Sequence, residues 1–447
     1  MAIDLDEQRR SRRREQRGWY FYDWANSAFS TTVVTVFLGP YLTSVARAAA
    51  ESGASITLFG LVPVTAESYF PYVVSASVVL QVLLMPLVGA MADRARSKKT
   101  WMAIGAYVGS FAVMGMFFLA GSNYQLGGVL FAIANVGFGA SVVVYNSYLP
   151  DIAEPAERDG VSSRGWAMGY VGGIILLIAN LVMYLGHESL GLSEAMAVRI
   201  SLLSAGAWWA IFALIPLTRL RSVRAHDWRI APAAPDGGLL GGFRQLGRTL
   251  RELPRYRQAL LFLLAFFFFN DGIQTVIGLS ATYAQEELGL TTTTVITAVL
   301  VVQIVGIAGA LLMGRVARRI GAKRVVLCAI ALWAVVLFAA YVIPSGAATL
   351  FLVLAAFIGF VLGGSQALSR SLFAQLIPRD REAEYFSLYE VSNGASSVLG
   401  PLIFAVTLQF MGSYRVAILA LVIFFVIGGV LLARVDVRRG VVDVSAP

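Results

Sequence analysis

The chain has 447 residues, of which 58% are hydrophobic and only 14% charged, with a mean hydropathy of +0.73. A soluble domain carries about 25% charged residues to meet water, and surface-to-volume scaling limits how much apolar side chain a fold can hide, so the composition excludes an ordinary soluble protein and makes the lipid bilayer the natural solvent. The single cysteine, Cys328, excludes a disulfide framework, and the two histidines, His187 and His226, fall in polar connections, which argues against a histidine-centred catalytic or metal cluster.

A membrane helix needs about 20 mostly apolar residues to cross roughly 30 Å of hydrocarbon. In chain order the pattern predicts spans over Gly18–Ala46, Tyr69–Ala92, Trp101–Ala120, Tyr124–Leu149, Arg164–Leu185 and Ala197–Leu217. A polar stretch from Thr218 to Tyr256 follows. Six further spans are predicted over Gln258–Ala284, Thr292–Gly314, Arg324–Ile343, Ala347–Leu376, Tyr385–Met411 and Tyr414–Arg434. The reading is an all-α polytopic membrane protein of twelve transmembrane helices. Its expected organisation is a six-helix bundle over 1–217, a central loop over 218–256 and a second bundle with a tail over 257–447.

The net charge of +9 could suggest nucleic acid, but its distribution assigns it to topology. Of the 35 Lys and Arg, only Arg47, Arg199 and Arg415 fall on one side of the proposed spans. Cytoplasmic loops carry the Lys/Arg excess, so both termini and the central loop are expected in the cytoplasm. The basic run Arg9 to Arg17 precedes an apolar stretch too long for a cleavable signal. It reads as the positive-inside anchor of an uncleaved first span in a plasma (inner) membrane.

Two loops repeat. Gly89-Ala-Met-Ala-Asp93-Arg94-Ala-Arg96-Ser-Lys98-Lys99 lies after the second span and Gly314-Arg-Val-Ala-Arg318-Arg319-Ile-Gly321-Ala-Lys323-Arg324 after the eighth, an offset of 225 residues (314 less 89). The same offset relates Ser162 to Ser387 and Gly169 to Gly394. Duplication of a six-helix half explains the matches. The first loop resembles the signature that follows helix two in major facilitator transporters: Gly, three residues, Asp-Arg, then clustered basic residues. The resemblance implies the major facilitator fold, two pseudo-symmetric six-helix halves, with the Asp latching the halves together in one access state. Arg96 stands where that family has a glycine and Arg318 where the second half would have an acid, so a latch rests on Asp93, with Gly89 and Arg94 beside it.

A narrower likeness starts at Gly18-Trp-Tyr-Phe-Tyr-Asp23-Trp-Ala-Asn26-Ser-Ala-Phe and continues through Trp208-Trp209, Asp271-Gly-Ile-Gln274-Thr and Gly400-Pro401-Leu. These stretches are similar to the vacuolar amino-acid effluxer family linked to autophagy and its bacterial relatives. The family implies export of neutral amino acids from a storage compartment.

Ionisable residues inside spans cost about 2.5–3.5 kcal/mol on insertion scales and mark functional or helix-bridging sites. Asp271 falls near the middle of the seventh span, with Gln274 and Thr275 on its helix face; Asp23 has Asn26 and Ser27 at the same spacings in the first. Asp271 is expected to carry a proton or a substrate ammonium, or else to be a hydrogen-bond hub. Asp23 serves either the pathway or the positive helix end. Arg370 and Glu390 are placed for a salt bridge, with Arg370 able to meet a substrate carboxylate. Gln366, Asn135, Asn146, Asn393, Gln303 and Trp166 either line a cavity or bridge helices.

Nothing resembles a nucleotide-binding loop or an activated nucleophile. The reading is therefore a cofactor-free, monomeric secondary transporter of small polar solutes in a lipid bilayer, working by alternating access with a proton as coupling ion and possible amino-acid efflux. It is not an enzyme and takes no nucleic acid. The alternative is an exporter of drug-like or lipid-like amphipathic cargo on the same fold, suggested by the Phe266–Phe269 run.

Overall fold

The computed structural model describes residues 2–95, 97–221, 251–379, 381–397 and 399–445. Among them twelve helices are long and apolar enough to cross a membrane: α1 Arg10–Glu51, α2 Tyr69–Asp93, α3 Lys98–Phe118, α4 Tyr124–Ile152, α5 Arg158–Leu185, α6 Glu194–Arg219, α7 Arg257–Ala281, α8 Thr294–Ile320, α9 Ala322–Val342, α10 Ala348–Phe373, α11 Glu382–Leu408 and α12 Tyr414–Arg434. All twelve predicted spans are present. Most of the central loop, residues 222–250, lies outside the described residues. A two-stranded antiparallel hairpin, β1 Thr57–Leu58 and β2 Val62–Pro63, joins α1 to α2.

Large apolar side chains on the outer faces, such as Leu83, Phe111, Val182, Val335 and Phe357, are more than half exposed. A soluble monomer does not tolerate so many outward-facing side chains of this kind; facing lipid they cost nothing.

Contacts divide the chain into two units. The first is Met1–Tyr145 with Met168–Pro232, the second Asn146–Ala167 with Ala233–Pro447. The divide passes through α4 and α5, so the connection between those two helices belongs by contact to the second unit.

In the first unit α1 and α3 both pack on α6. A methyl group at Gly109 would run into the Trp209 ring, and one at Gly206 would stand 2.7 Å from the Ser110 carbonyl oxygen, so bare backbone sets the α3–α6 distance. Helix α1 is not regular: residues Phe29–Phe37 form a π-helical stretch just before Gly39-Pro40. Such widened turns concentrate at functional positions.

The second unit repeats the pairing, with α7 and α9 packed on α12. Its tightest seam is α8 against α10. A Cβ at Gly309 would overlap the Phe360 carbonyl, and one at Gly363 the Gly306 carbonyl. Small residues let membrane helices approach to backbone contact, where dispersion replaces the missing hydrophobic drive. Helix α11 is broken, running as Glu382–Ala395 and Leu399–Met411.

Candidate functional site: a polar relay in the second unit

The site is built from Arg370 outward. The residue sits near the end of α10 and is only 4% exposed. A buried guanidinium must find partners for a planar fork of donors. Nε donates to Ser162 Oγ (2.8 Å), Nη2 to the Ser162 carbonyl (2.9 Å) and Nη1 to Asn146 Oδ1 (3.4 Å). The Trp166 ring lies under the guanidinium, 5.6 Å from its carbon to the centroid.

From Asn146 the chain of bonds runs into α11. Asn146 Nδ2 donates to Glu390 Oε1 (3.1 Å), and Asn393 Nδ2, one turn on, donates to Glu390 Oε2 (3.3 Å). Asn270 of α7 donates to Asn393 Oδ1 (2.9 Å) and Ser396 Oγ (2.6 Å), and accepts from Gln366 Nε2 of α10 (2.8 Å). Charge and amide groups therefore run without a gap from Arg370 to Ser396. In a low-dielectric interior such bonds strengthen one another, and any member left unsatisfied is costly.

The start of α5 is tied to α10 by further contacts. Ser162 Oγ donates to the Ala367 carbonyl (2.7 Å), Ser371 Oγ to Asp159 Oδ1 (2.6 Å) and Arg158 Nη1 to the Ala374 carbonyl (2.8 Å). Gly314, in the second copy of the loop motif, lets Ser163 approach; a Cβ there would overlap its hydroxyl.

Residues 11–445 match the family described as "Vacuole effluxer Atg22 like". The chain belongs to that family. Among its relatives, the MFS-type transporter YxiO of Bacillus subtilis is 31% identical over 425 residues, covering 94% of this chain and 95% of YxiO. Autophagy-related protein 22 of Pyricularia oryzae is 26% identical, covering 98% of this chain and 78% of the fungal protein. Two solved structures share the fold: the major facilitator transporter FucP in the outward conformation (TM-score 0.66, 14% identity, 94% and 98% of the chains covered) and a bacterial homologue of the iron transporter ferroportin (TM-score 0.66, 14% identity, 95% and 98%). The protein is a membrane transporter of the major facilitator type, not an enzyme.

In this Atg22-like chain the residues singled out from sequence fall into three groups. Arg370 and Gln366 are in the relay. Between Arg370 and Glu390, where a salt bridge is the sequence expectation, Asn146 bonds to both. Asp271 is fully buried and adjoins the relay, but its carboxylate takes backbone donors, Leu399 N–H (3.2 Å) and Gly400 N–H (2.9 Å), with Thr275 Oγ1 at 3.5 Å. Gln274 is half-buried on the same helix.

In the first unit, Asp23 Oδ2 accepts from Tyr145 Oη (2.7 Å), and Asn26 is 7% exposed. The matched spacing of Asp23-Asn26-Ser27 and Asp271-Gln274-Thr275 leads to different bonding. Ser27 Oγ donates to the Asp23 backbone carbonyl (2.6 Å), not to its carboxylate. Asp93 pairs with Lys98 (3.4 Å), the two side chains only 3% and 5% exposed, and Gly89 is buried in α2. The Arg94 side chain and all of Arg96 lie outside the described residues.

Glu390, Asn393 and Asn146, which the sequence offers as charge partner and as cavity-lining or bridging amides, bond into the relay as well. Asn270 and Ser162 join it only in three dimensions, the one sequence sign for Asn270 being its place beside the mid-span Asp. Of the Phe266–Phe269 run, Phe266 and Phe269 are fully buried, and Phe266 stacks on Tyr389 at 4.3 Å between centroids. A groove of about 540 Å³ in the first unit, among Leu80, Val88, Trp101, Val108, Ile133 and Val136, is lined almost wholly by apolar side chains and carries no charged group.

Proposed function

We propose that this Atg22-like protein is a proton-coupled secondary exporter of small zwitterionic solutes, neutral amino acids foremost, and that Arg370, Gln366, Asn146 and Glu390 form the polar centre its cargo meets. The observation that carries this reading is the single amide between Arg370 and Glu390. A zwitterion offers a carboxylate for the guanidinium and an ammonium for the carboxylate, so it replaces the Asn146 bonds without leaving a buried charge unpaired. The burial of Phe266 and Phe269 in helix packing supports a polar cargo over a greasy one.

The way α5 is held supports alternating access. The bonds between residues 158–162 and α10 include two from the same guanidinium that meets the cargo, so cargo arrival competes with contacts that close the start of α5. Glu390 takes up and releases the coupling proton as its amide partners exchange. Asp23 and Asn26 serve the first unit's part of the pathway, and Asp93, Gly89 and Arg94 the loop latch. The protein works as a monomer in the plasma membrane, with both termini cytoplasmic.

Reconstitution tests this. Proteoliposomes with an imposed pH gradient are loaded with labelled alanine, leucine or glutamine, or with a cationic amphipathic dye. Amino-acid efflux that follows the gradient, lost in Arg370→Gln and uncoupled from the gradient in Glu390→Gln, is the expected result. Dye movement without amino-acid movement overturns the reading.

A further inference from the structure

A break inside a membrane span strands carbonyls at the end of one helix and N–H groups at the start of the next. Lipid offers no replacement, and each unsatisfied group costs several kcal/mol. At the start of the second piece of α11, two such donors among the described residues have partners on α7. Leu399 N–H donates to Asp271 Oδ2 and Gly400 N–H to Asp271 Oδ1. The next residue, Pro401, has no N–H to satisfy and its ring suits a first helical turn.

Gly400 is what admits the carboxylate. A Cβ at that position would collide with Thr275 Oγ1 and stand 2.8 Å from Asp271 Oδ1. On the other side of the break, Asn270 donates to Asn393 Oδ1 and Ser396 Oγ, at the end of the first piece. Two consecutive residues of α7 thus hold the two ends of the broken α11.

We propose that Asn270 and Asp271 form a clasp that keeps α11 in two pieces, and that Asp271 is a positioning residue acting through α11 rather than a carrier of cargo or proton. The clasp sets the course of Glu382–Ala395, the piece that brings Glu390 and Asn393 into the relay. A carboxylate suits this task because it meets the positive end of a helix and accepts charge-assisted bonds from two N–H groups at once. Both Asp271 oxygens are committed to backbone, whereas Glu390 is held by side-chain amides, which exchange partners without unmaking a helix. The inference is independent of the cargo, so its test needs none.

Hydrogen–deuterium exchange of the full chain in nanodiscs reads the clasp directly. The amides of residues 399 and 400 are expected to exchange about tenfold faster or more in Asp271→Ala and Gly400→Ala than in the wild type. Asp271→Asn retains an acceptor oxygen and is expected to restore protection to within about threefold of wild type. A carrier role predicts a different pattern: Asp271→Asn and Asp271→Ala equally impaired in gradient-driven transport, with exchange unchanged in both. Wild-type exchange in the alanine variants, or equal loss of protection in Asp271→Asn, overturns the clasp. Should Asp271→Ala fail to reach the membrane, Gly400→Ala and Asp271→Asn decide between the two roles.

Discussion

The hydroxyl of Ser371 donates to the carboxylate of Asp159 at 2.6 Å, with Ser371 fully buried and Asp159 only 8% exposed. The bond fastens the first turn of α5 to the end of α10. A hydrogen bond to a charged group contributes about 1.5–3 kcal/mol, and removing its donor leaves the carboxylate to find water. Ser371→Ala is therefore expected to loosen residues 158–163. A cysteine introduced at Val161 in a Cys328→Ser background should label about tenfold faster with a thiol reagent. Unchanged labelling would mean that the remaining bonds of Arg158 and Ser162 hold this turn unaided.

Much of this fold was legible because hydropathy over 20 residues answers to one constraint, the thickness of the bilayer. The ends of the spans were less so. The fifth was expected to begin at Arg164, yet α5 starts at Arg158. Arg158 and Asp159 read as loop charges, but partners on α10 satisfy them, so the helix extends through them. The first helix likewise runs back into its basic segment, where arginine is a good helix former. The break in α11 carried a sign in Gly400-Pro401, but not its partner, since Asp271 lies 129 residues away. The relay was hidden for the same reason: Asn146 and Glu390 are 244 residues apart.

Arg370 is a stringent test of the relay because its role depends on shape as well as charge. Lysine keeps the charge but loses the planar fork that reaches Ser162 twice and Asn146 once. Arg370→Lys is expected to lower the transport rate about tenfold or more while the protein still folds and inserts. Rates within about twofold of wild type would reduce Arg370 to a point charge.

Helix packing makes a sharper claim. Gly309 of α8 lies so close to the Phe360 carbonyl of α10 that a Cβ would overlap it, and the obstacle is backbone, which cannot rotate aside. Overpacking costs about 1–3 kcal/mol where side chains yield, and more where they do not. Gly309→Ala should lower the melting temperature of the detergent-solubilised protein by several degrees, while Gly278→Ala, where a Cβ meets nothing within 4 Å, should leave it unchanged. Equal melting temperatures in the two variants would contradict the close α8–α10 seam.

Asp93 separates two roles that a single substitution confounds. Its partner Lys98 is almost wholly buried, so Asp93→Asn takes a counter-ion away from a buried ammonium, and breaking a buried pair from one side costs about 3–5 kcal/mol. A stability loss is thus expected even if the loop has no part in transport. Lys98→Met on the same background removes the buried charge while keeping the stem's packing, and should recover most of that stability. Transport then decides the question. If Asp93 latches the access state, the double variant regains its melting temperature but stays slow. If the pair only secures the loop, transport returns together with stability, and the motif is reduced to packing and topology.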